Sequence, residues 1–325
     1  MADDWVLGIE IGGSKLQLGI GPLDGGIAAL ERLAVVPEEG AEGIRRQILE
    51  VFARLTGQIS GAREGLRGIG VGFGGPVDAV AGRTRTSFQI AGWDDFPLAD
   101  WLREHLGVGL VVVENDADAA GLAEAVAGAG VGLSPILYLT IGSGIGGALI
   151  IDGRIYRGAG RGAVEIGHLE IVEPARPRMT LEEIASGWGI AREAQARYRE
   201  TDCGDSLLRR LCNGDPVCIN AVMVAQAAIR GEPLALGVLA RAQRALAFAL
   251  RQAIVLLAPR RIILGGGVSL IGEEHWLRPI RALVDADVFP PFRGSYDITA
   301  AALGEEVVVH GALEIARRAV AGERP

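Results

Sequence analysis

The sequence predicts an α/β protein made of two domains of the same design, and three observations carry that expectation. The chain has 325 residues, more than one compact domain of roughly 100–200 residues ordinarily holds. Apolar strand-like runs alternate with helical stretches, the pattern of sheets covered on both faces. One local arrangement also occurs twice: an apolar strand breaks at a glycine turn and resumes, first at Gly12-Gly13-Ser14 and again at Gly142-Ser143-Gly144. A repeat of that kind is what one domain plan used twice leaves in a sequence.

In order along the chain, residues 6–11 and 15–20 read as the strands of the first glycine hairpin, and 137–141 and 148–151 as those of the second. Superposing Glu10 on Thr140, 130 residues later, aligns the two. Residues 68–73 form an apolar strand ending at Gly74-Gly75-Pro76, and 261–264 one ending at Gly265-Gly266-Gly267. Between them, 109–113 reads as a buried strand that runs into Glu114-Asn115-Asp116 and then a small-residue helix over 117–129. Residues 184–256 are helical by pattern, Ala-rich over 240–253, and read as an insertion enlarging the second domain. The expected boundaries are 1–117 and 118–310, with the last helix (311–325) returning to the first domain.

Composition excludes several classes. Apolar residues at 49% and charged residues at 22% give ample material for cores and argue against disorder. A net charge of −8 leaves no basic surplus for nucleic-acid phosphates. No basic, apolar leader opens the chain, and no uninterrupted apolar run approaches the ~20 residues that cross a bilayer. Three cysteines, Cys203, Cys212 and Cys218, are an odd set that suits a reducing compartment. The expectation is a cytoplasmic protein of small-molecule substrates. Of 32 basic side chains Lys15 is the only lysine; a general bias toward arginine explains the others but not the exception, and a site touching a phosphate oxygen could prefer its compact charge.

The glycine loops narrow the chemistry. Gly142-Ser-Gly144-Ile-Gly-Gly147 matches the dinucleotide fingerprint in letters, but that fingerprint needs a helix after the glycines, and here a strand comes next. The P-loop needs Gly-Lys-Ser/Thr, which the chain lacks. Two glycine hairpins facing each other across a cleft remain, whose backbone N–H groups and hydroxyls (Ser14, Thr140, Ser143) could hold a triphosphate from two sides. Asp116, where strand gives way to helix, suits either a helix cap or a carboxylate at a ligand site.

With these motifs in place the sequence resembles the ROK family of sugar kinases and regulators. The resemblance rests on Gly8-Ile-Glu-Ile-Gly-Gly-Ser-Lys15, Asn115-Asp116, Gly142-Ser-Gly-Ile-Gly-Gly147, Gly160-Arg-Gly-Ala-Val-Glu-Ile-Gly-His168 and Leu264-Gly-Gly-Gly-Val268, five motifs in family order. It implies two actin-like (ribonuclease-H-like) ATPase domains facing an interdomain cleft, and transfer of a phosphoryl group from ATP with Mg²⁺ to a hexose or amino sugar. Asp116 is implied as general base. Gly75, Gln89, Asn115, Glu165, His168 and Glu182 are implied around the sugar. Glu10, Gly12, Gly13, Ser14, Lys15, Thr140, Gly142, Ser143, Gly144, Gly265, Gly266 and Gly267 are implied around the nucleotide, with Mg²⁺ near Glu10.

Three departures matter. Glu10 stands where the family usually has aspartate, and Gln89 where it usually has a sugar-binding asparagine. The three cysteines that join the signature histidine in the family's zinc site are missing between His168 and Glu182, so no structural zinc is expected. The expected partners are the sugar and ATP, with no nucleic acid and no membrane, and a second copy of the chain in a homodimer. A repressor is not expected, since the first strand begins by Val6 with no DNA-binding segment before it. The competing expectation is a sugar-sensing or scaffold protein of the same fold without efficient catalysis; a polyol or cyclitol acceptor would use the same residues.

Overall fold

The computed structural model describes residues 4–159, 162–174, 177–200 and 206–324. Its elements, in chain order, are β1 (Trp5–Ile11), β2 (Lys15–Pro22), β3 (Ala29–Ala34), α1 (Gly40–Gln58), β4 (Leu66–Phe73), β5 (Val77–Asp78), β6 (Arg83–Thr84), α2 (Leu98–Leu106), β7 (Val111–Asn115) and α3 (Asp116–Ala127). Next come β8 (Ile136–Ile141), β9 (Ile145–Ile151), β10 (Arg154–Ile155), β11 (Glu170–Ile171), β12 (Met179–Thr180), α4 (Leu181–Ala185), α5 (Gly187–Glu200), α6 (Leu207–Leu211), α7 (Ala221–Ile229), α8 (Pro233–Leu257), β13 (Arg261–Gly265), α9 (Arg278–Asp287), β14 (Asp297–Ala300) and α10 (Val307–Val320). Two five-stranded sheets organise them, in the orders β3-β2-β1-β4-β7 and β10-β9-β8-β13-β14. The chain divides into two compact units, 1–132 with 148–163 and 302–325, and 133–147 with 164–301.

In the first unit β1 pairs antiparallel with β2 and parallel with β4, which pairs parallel with β7. β1 and β4 read Trp-Val-Leu-Gly-Ile-Glu-Ile and Leu-Arg-Gly-Ile-Gly-Val-Gly-Phe. Such apolar and glycine runs belong in strands covered on both faces. One face buries Leu7, Ile9, Leu16, Leu18, Ile69 and Val71 against Ile44, Ile48, Phe52 and Leu102 of α1 and α2. On the other face the strands are thinned to glycine so that α10 can lie close. A Cβ on Gly8 would stand 2.9 Å from the Val309 carbonyl oxygen, and one on Gly70 1.9 Å from that of Ala312. The same device joins α10 to α3, where a Cβ on Gly311 would stand 1.9 Å from the Ala119 carbonyl oxygen.

In the second unit β8, β13 and β14 are parallel neighbours, and the helices α4 to α9 bury a core that includes Leu137, Leu139, Ile190, Leu246, Leu250, Ile262 and Trp276. α8 is long and apolar enough to cross a bilayer by length and composition, but 61% of its most apolar stretch is buried. It also carries Arg241, 4% exposed, bonded to Glu173 and Glu193. These features mark a core helix.

Several boundaries differ from the sequence expectation: β7 spans Val111–Asn115 and not 109–113, and the last helix begins at Val307 and not at 311. The second hairpin resumes at Ile145 and not at 148, because Gly146 and Gly147 lie inside the strand; at Gly147 a Cβ would stand 2.8 Å from the Val164 carbonyl oxygen. The third helix begins at Asp116 and not at 117, with Asn115 as its cap.

Candidate active site

In the first unit, strand register sets one group of the expected residues. Ile11, Phe73 and Asn115 are partners across β1, β4 and β7, so three parallel strands end side by side. Ligand sites of α/β sheets lie beyond such carboxyl ends. The segments just past these strand ends are therefore brought together: the turn Gly12 to Ser14, the turn Gly74-Gly75, and Asp116. The Gly12 N–H donates to the Lys15 carbonyl at 3.0 Å and closes the first turn; the Gly74 N–H donates to the Ile11 carbonyl at 2.8 Å. Asn115, in extended backbone, accepts at Oδ1 from the N–H groups of Ala117 (2.8 Å) and Asp118 (3.4 Å), satisfying donors a helix start leaves open. Its Nδ2 donates to the Gly75 carbonyl at 3.1 Å. Asn115, not Asp116, is thus the cap, although Asp116 Oδ1 also accepts from the Ala117 N–H at 2.8 Å. Asp116 Oδ2 lies 3.4 Å from where a Cβ of Gly74 would be.

The electrostatics are those of a crowded carboxylate pair. Asp116 keeps some surface, but the atoms packed around its carboxyl exclude most water. That burial, with the negative Glu10 nearby, pushes its pKa up to about 6 against the opposing helix-start N–H bonds and Lys15. Glu10, 5% exposed, is also raised by burial, opposed chiefly by Lys15 and by the Gln17 hydrogen bond. Lys15 Nζ stands 3.0 Å from Glu10 Oε1 and donates to the Glu305 carbonyl at 2.9 Å. Gln89 lies directly on the first turn, with its Oε1 1.5 Å from the Cβ position of Gly13. Glu114, next to Asn115 and 2% exposed, is ion-paired with Arg157.

In the second unit, another group gathers around Ile145. The Gly142 N–H donates to the Gly144 carbonyl at 2.9 Å and shapes the second turn; Gly187 N–H donates to the Gly142 carbonyl at 2.8 Å. Glu182 accepts from the Ile145 N–H at 2.7 Å and lies over Gly144, where a Cβ would be 2.5 Å from its Oε2. Its neighbour Glu183 is the ordinary helix residue of the two, forming a capping box with Thr180. Glu165 and His168 are exposed on a single turn, with the His168 N–H donating to the Glu165 carbonyl at 3.0 Å. A Cβ on Gly167 would be 2.3 Å from the Ile145 carbonyl oxygen, which seats that turn on β9. Val164, a β-branched residue at φ +61°, holds strained backbone just before Glu165. β13 ends opposite Thr140 at Gly265. Gly266, at φ +81°, approaches Ile141 so closely that a Cβ would be 2.5 Å from its backbone, while Gly267 has open space around it.

Each unit holds one group of the residues expected around sugar and nucleotide. Gly160 and Arg161 of the signature and Cys203 lie outside the described residues. Among the described residues, no group of three or more His, Cys, Asp and Glu side chains could hold a metal ion. Gln17 was not legible as a site residue, although a lone polar side chain facing into the apolar run of β2 is the kind of signal that could have exposed it.

Two mixed five-stranded sheets, each opened by a glycine hairpin that leads into parallel strands, constitute the actin-like ATPase fold. The chain belongs to the ROK family, whose model matches residues 6–319. It is 32% identical to a glucokinase of Thermotoga maritima over 98% of both chains, and 31% identical to a kanosamine kinase of Amycolatopsis mediterranei over the whole of both. The crystal structure of a ROK family glucokinase from Streptomyces griseus, in complex with glucose and AMPPNP, superposes with a TM-score of 0.81 at 31% identity, covering 97% of this chain and 99% of that one.

Proposed function

We propose that the protein transfers the γ-phosphoryl group of ATP to a hydroxyl of a hexose or amino sugar, with Asp116 as general base. The observation that carries this reading is the Asp116 carboxyl, at the ends of three parallel strands and beside Glu10, with a pKa pushed up to about 6. A base poised near neutral pH is matched to deprotonating a sugar hydroxyl as it attacks phosphorus. The kinship to a glucokinase and a kanosamine kinase supports the acceptor class.

In this reading the two glycine turns bind phosphate through backbone N–H groups with Ser14, Lys15, Thr140 and Ser143, and Gly265 to Gly267 take the adenosine side. The close approach at Gly266, which a Cβ would fill, and the open space at Gly142 and Gly267 suit a nucleotide. Glu10 is the carboxylate this chain would offer toward the Mg²⁺ of the nucleotide, which would offset charge on the phosphates. Asn115 and Gly75 carry sugar contacts on the first unit, Glu165 and His168 on the second. Gln89 and Glu182 pack on the two glycine turns, and their contacts favour a part in shaping those turns. Glu182→Ala is therefore expected to raise KM for ATP more than KM for sugar, about tenfold for the former, because the Ile145 N–H loses a charged acceptor. A larger change for the sugar would return Glu182 to the sugar pocket.

Protonated Asp116 cannot take the hydroxyl proton, so kcat/KM is expected to fall as pH drops through about 6. A profile flat from pH 7 to pH 5 would remove Asp116 from that role. We further place the enzyme in the cytoplasm as a homodimer without structural zinc; stoichiometric zinc by elemental analysis would contradict the last point. ADP release over a panel of hexoses, amino sugars, polyols and cyclitols tests the acceptor class, and response to a polyol alone would move it.

A further inference from the structure

Glu10 and Gln17 face each other in register on β1 and β2. Gln17 is 1% exposed in a strand whose other buried residues are apolar or glycine. Its Nε2 donates to Glu10 Oε2 at 2.5 Å and to the Glu305 carbonyl at 2.9 Å. Lys15 Nζ makes the matching pair, 3.0 Å from Glu10 Oε1 and 2.9 Å from the same carbonyl. Two donors therefore bridge the same two acceptors, closing a ring that leaves each Glu10 oxygen held. The Glu305 end is anchored separately: its carboxylate pairs with Arg32, and the Ala302 and Leu303 N–H groups donate to buried Glu124 at 2.8 and 2.9 Å.

A glutamate has one more rotatable bond than an aspartate, and a buried one without fixed donors would sample several positions. Lys15 alone holds one oxygen. Gln17 holds the other without adding charge, so the negative field that Glu10 exerts on Asp116 keeps one direction. The groups facing Glu10 are Lys15 and Gln17 from β2, Arg32 from β3, Asp116 from α3 and the Glu305 carbonyl.

We propose that Gln17 is a positioning residue for phosphoryl transfer, acting through Glu10 by fixing its carboxylate beside Lys15 and Asp116. The inference rests on the kinase reading. Its test is a double-mutant cycle read in two ways. Gln17→Leu, of similar volume but unable to donate, is expected to lower kcat/KM about tenfold or more alone, and less than about twofold when Glu10 is already alanine. A packing role would cost the same in both backgrounds, and equal losses would overturn the proposal. Carbon-13 NMR titration of the Glu10 carboxyl gives the second readout, independent of turnover: its midpoint is expected to rise in Gln17→Leu, and an unchanged midpoint would also overturn it. If the unaltered protein phosphorylates no acceptor, the kinase reading fails while the titration still decides whether Gln17 holds Glu10. Thermal melts establish folding, with Gln17→Met as the replacement should the leucine variant not fold.

Discussion

Asp116→Asn is expected to lower kcat by roughly 10²–10⁴ while leaving sugar affinity within a few-fold, since an amide keeps the shape of the carboxyl and loses only the proton acceptor. Steady-state kinetics with sugar titration decide it. The variant should fold at least as well as the parent. The Asn Oδ1 can still accept from the Ala117 N–H, which Asp116 Oδ1 now does at 2.8 Å. The ionised Asp116 carboxyl is itself a cost to folding: its native pKa of about 6 lies above the ordinary value of 3.8. Between those two pH values the native state binds more protons than the unfolded one, so this group's contribution to stability falls as pH rises through the window. Asp116→Asn is therefore expected to melt no lower than the parent at pH 8. A large loss of stability would make the aspartate a structural element instead.

Gly311→Val should be among the most destabilising single changes in the chain. The added Cβ falls 1.9 Å from the Ala119 carbonyl oxygen and 2.4 Å from its carbon, both backbone atoms of a helix that cannot give way without lifting α10 from the sheet. Overpacking of this kind costs on the order of 3 kcal/mol or more. The control is Gly57→Ala, exposed near the end of α1 with nothing within 4 Å of its Cβ position, where a gain of up to about 1 kcal/mol from helix propensity is expected. Denaturant titration of both variants compares them; a neutral Gly311→Val would mean that the helix packing is looser than described.

The hairpins were legible because a glycine turn between apolar strands is a local signal, and their duplication was legible because it is written twice. The strand end at Phe73 was legible for the same reason, and that of β13 was read one residue early, at Leu264 and not Gly265. The start of β9 was not legible, since Gly146 and Gly147 read as a turn; both are strand residues, and Gly147 is thinned to admit Val164. Asp116 was legible as a carboxylate where strand gives way to helix, but that Asn115 supplies the helix cap shows only in the structure. The hold on Glu10 is longer in range. It depends on Gln17 across a hairpin and on the main chain of Glu305, far along the sequence, and no local pattern records a backbone carbonyl. The same holds for Glu182, whose meeting with Ile145 is made by tertiary packing.

The proposed reaction, a sugar phosphate formed by base catalysis at Asp116, has a direct readout. Phosphorus-31 NMR of the protein with ATP, Mg²⁺ and D-glucose or an amino sugar, run beside Asp116→Asn, tests it most directly. A phosphate-ester resonance is expected to grow in step with ADP in the unaltered protein and to be nearly absent in the variant. Equal ester formation by both proteins, or none from any sugar that the unaltered protein binds together with ATP, would contradict it.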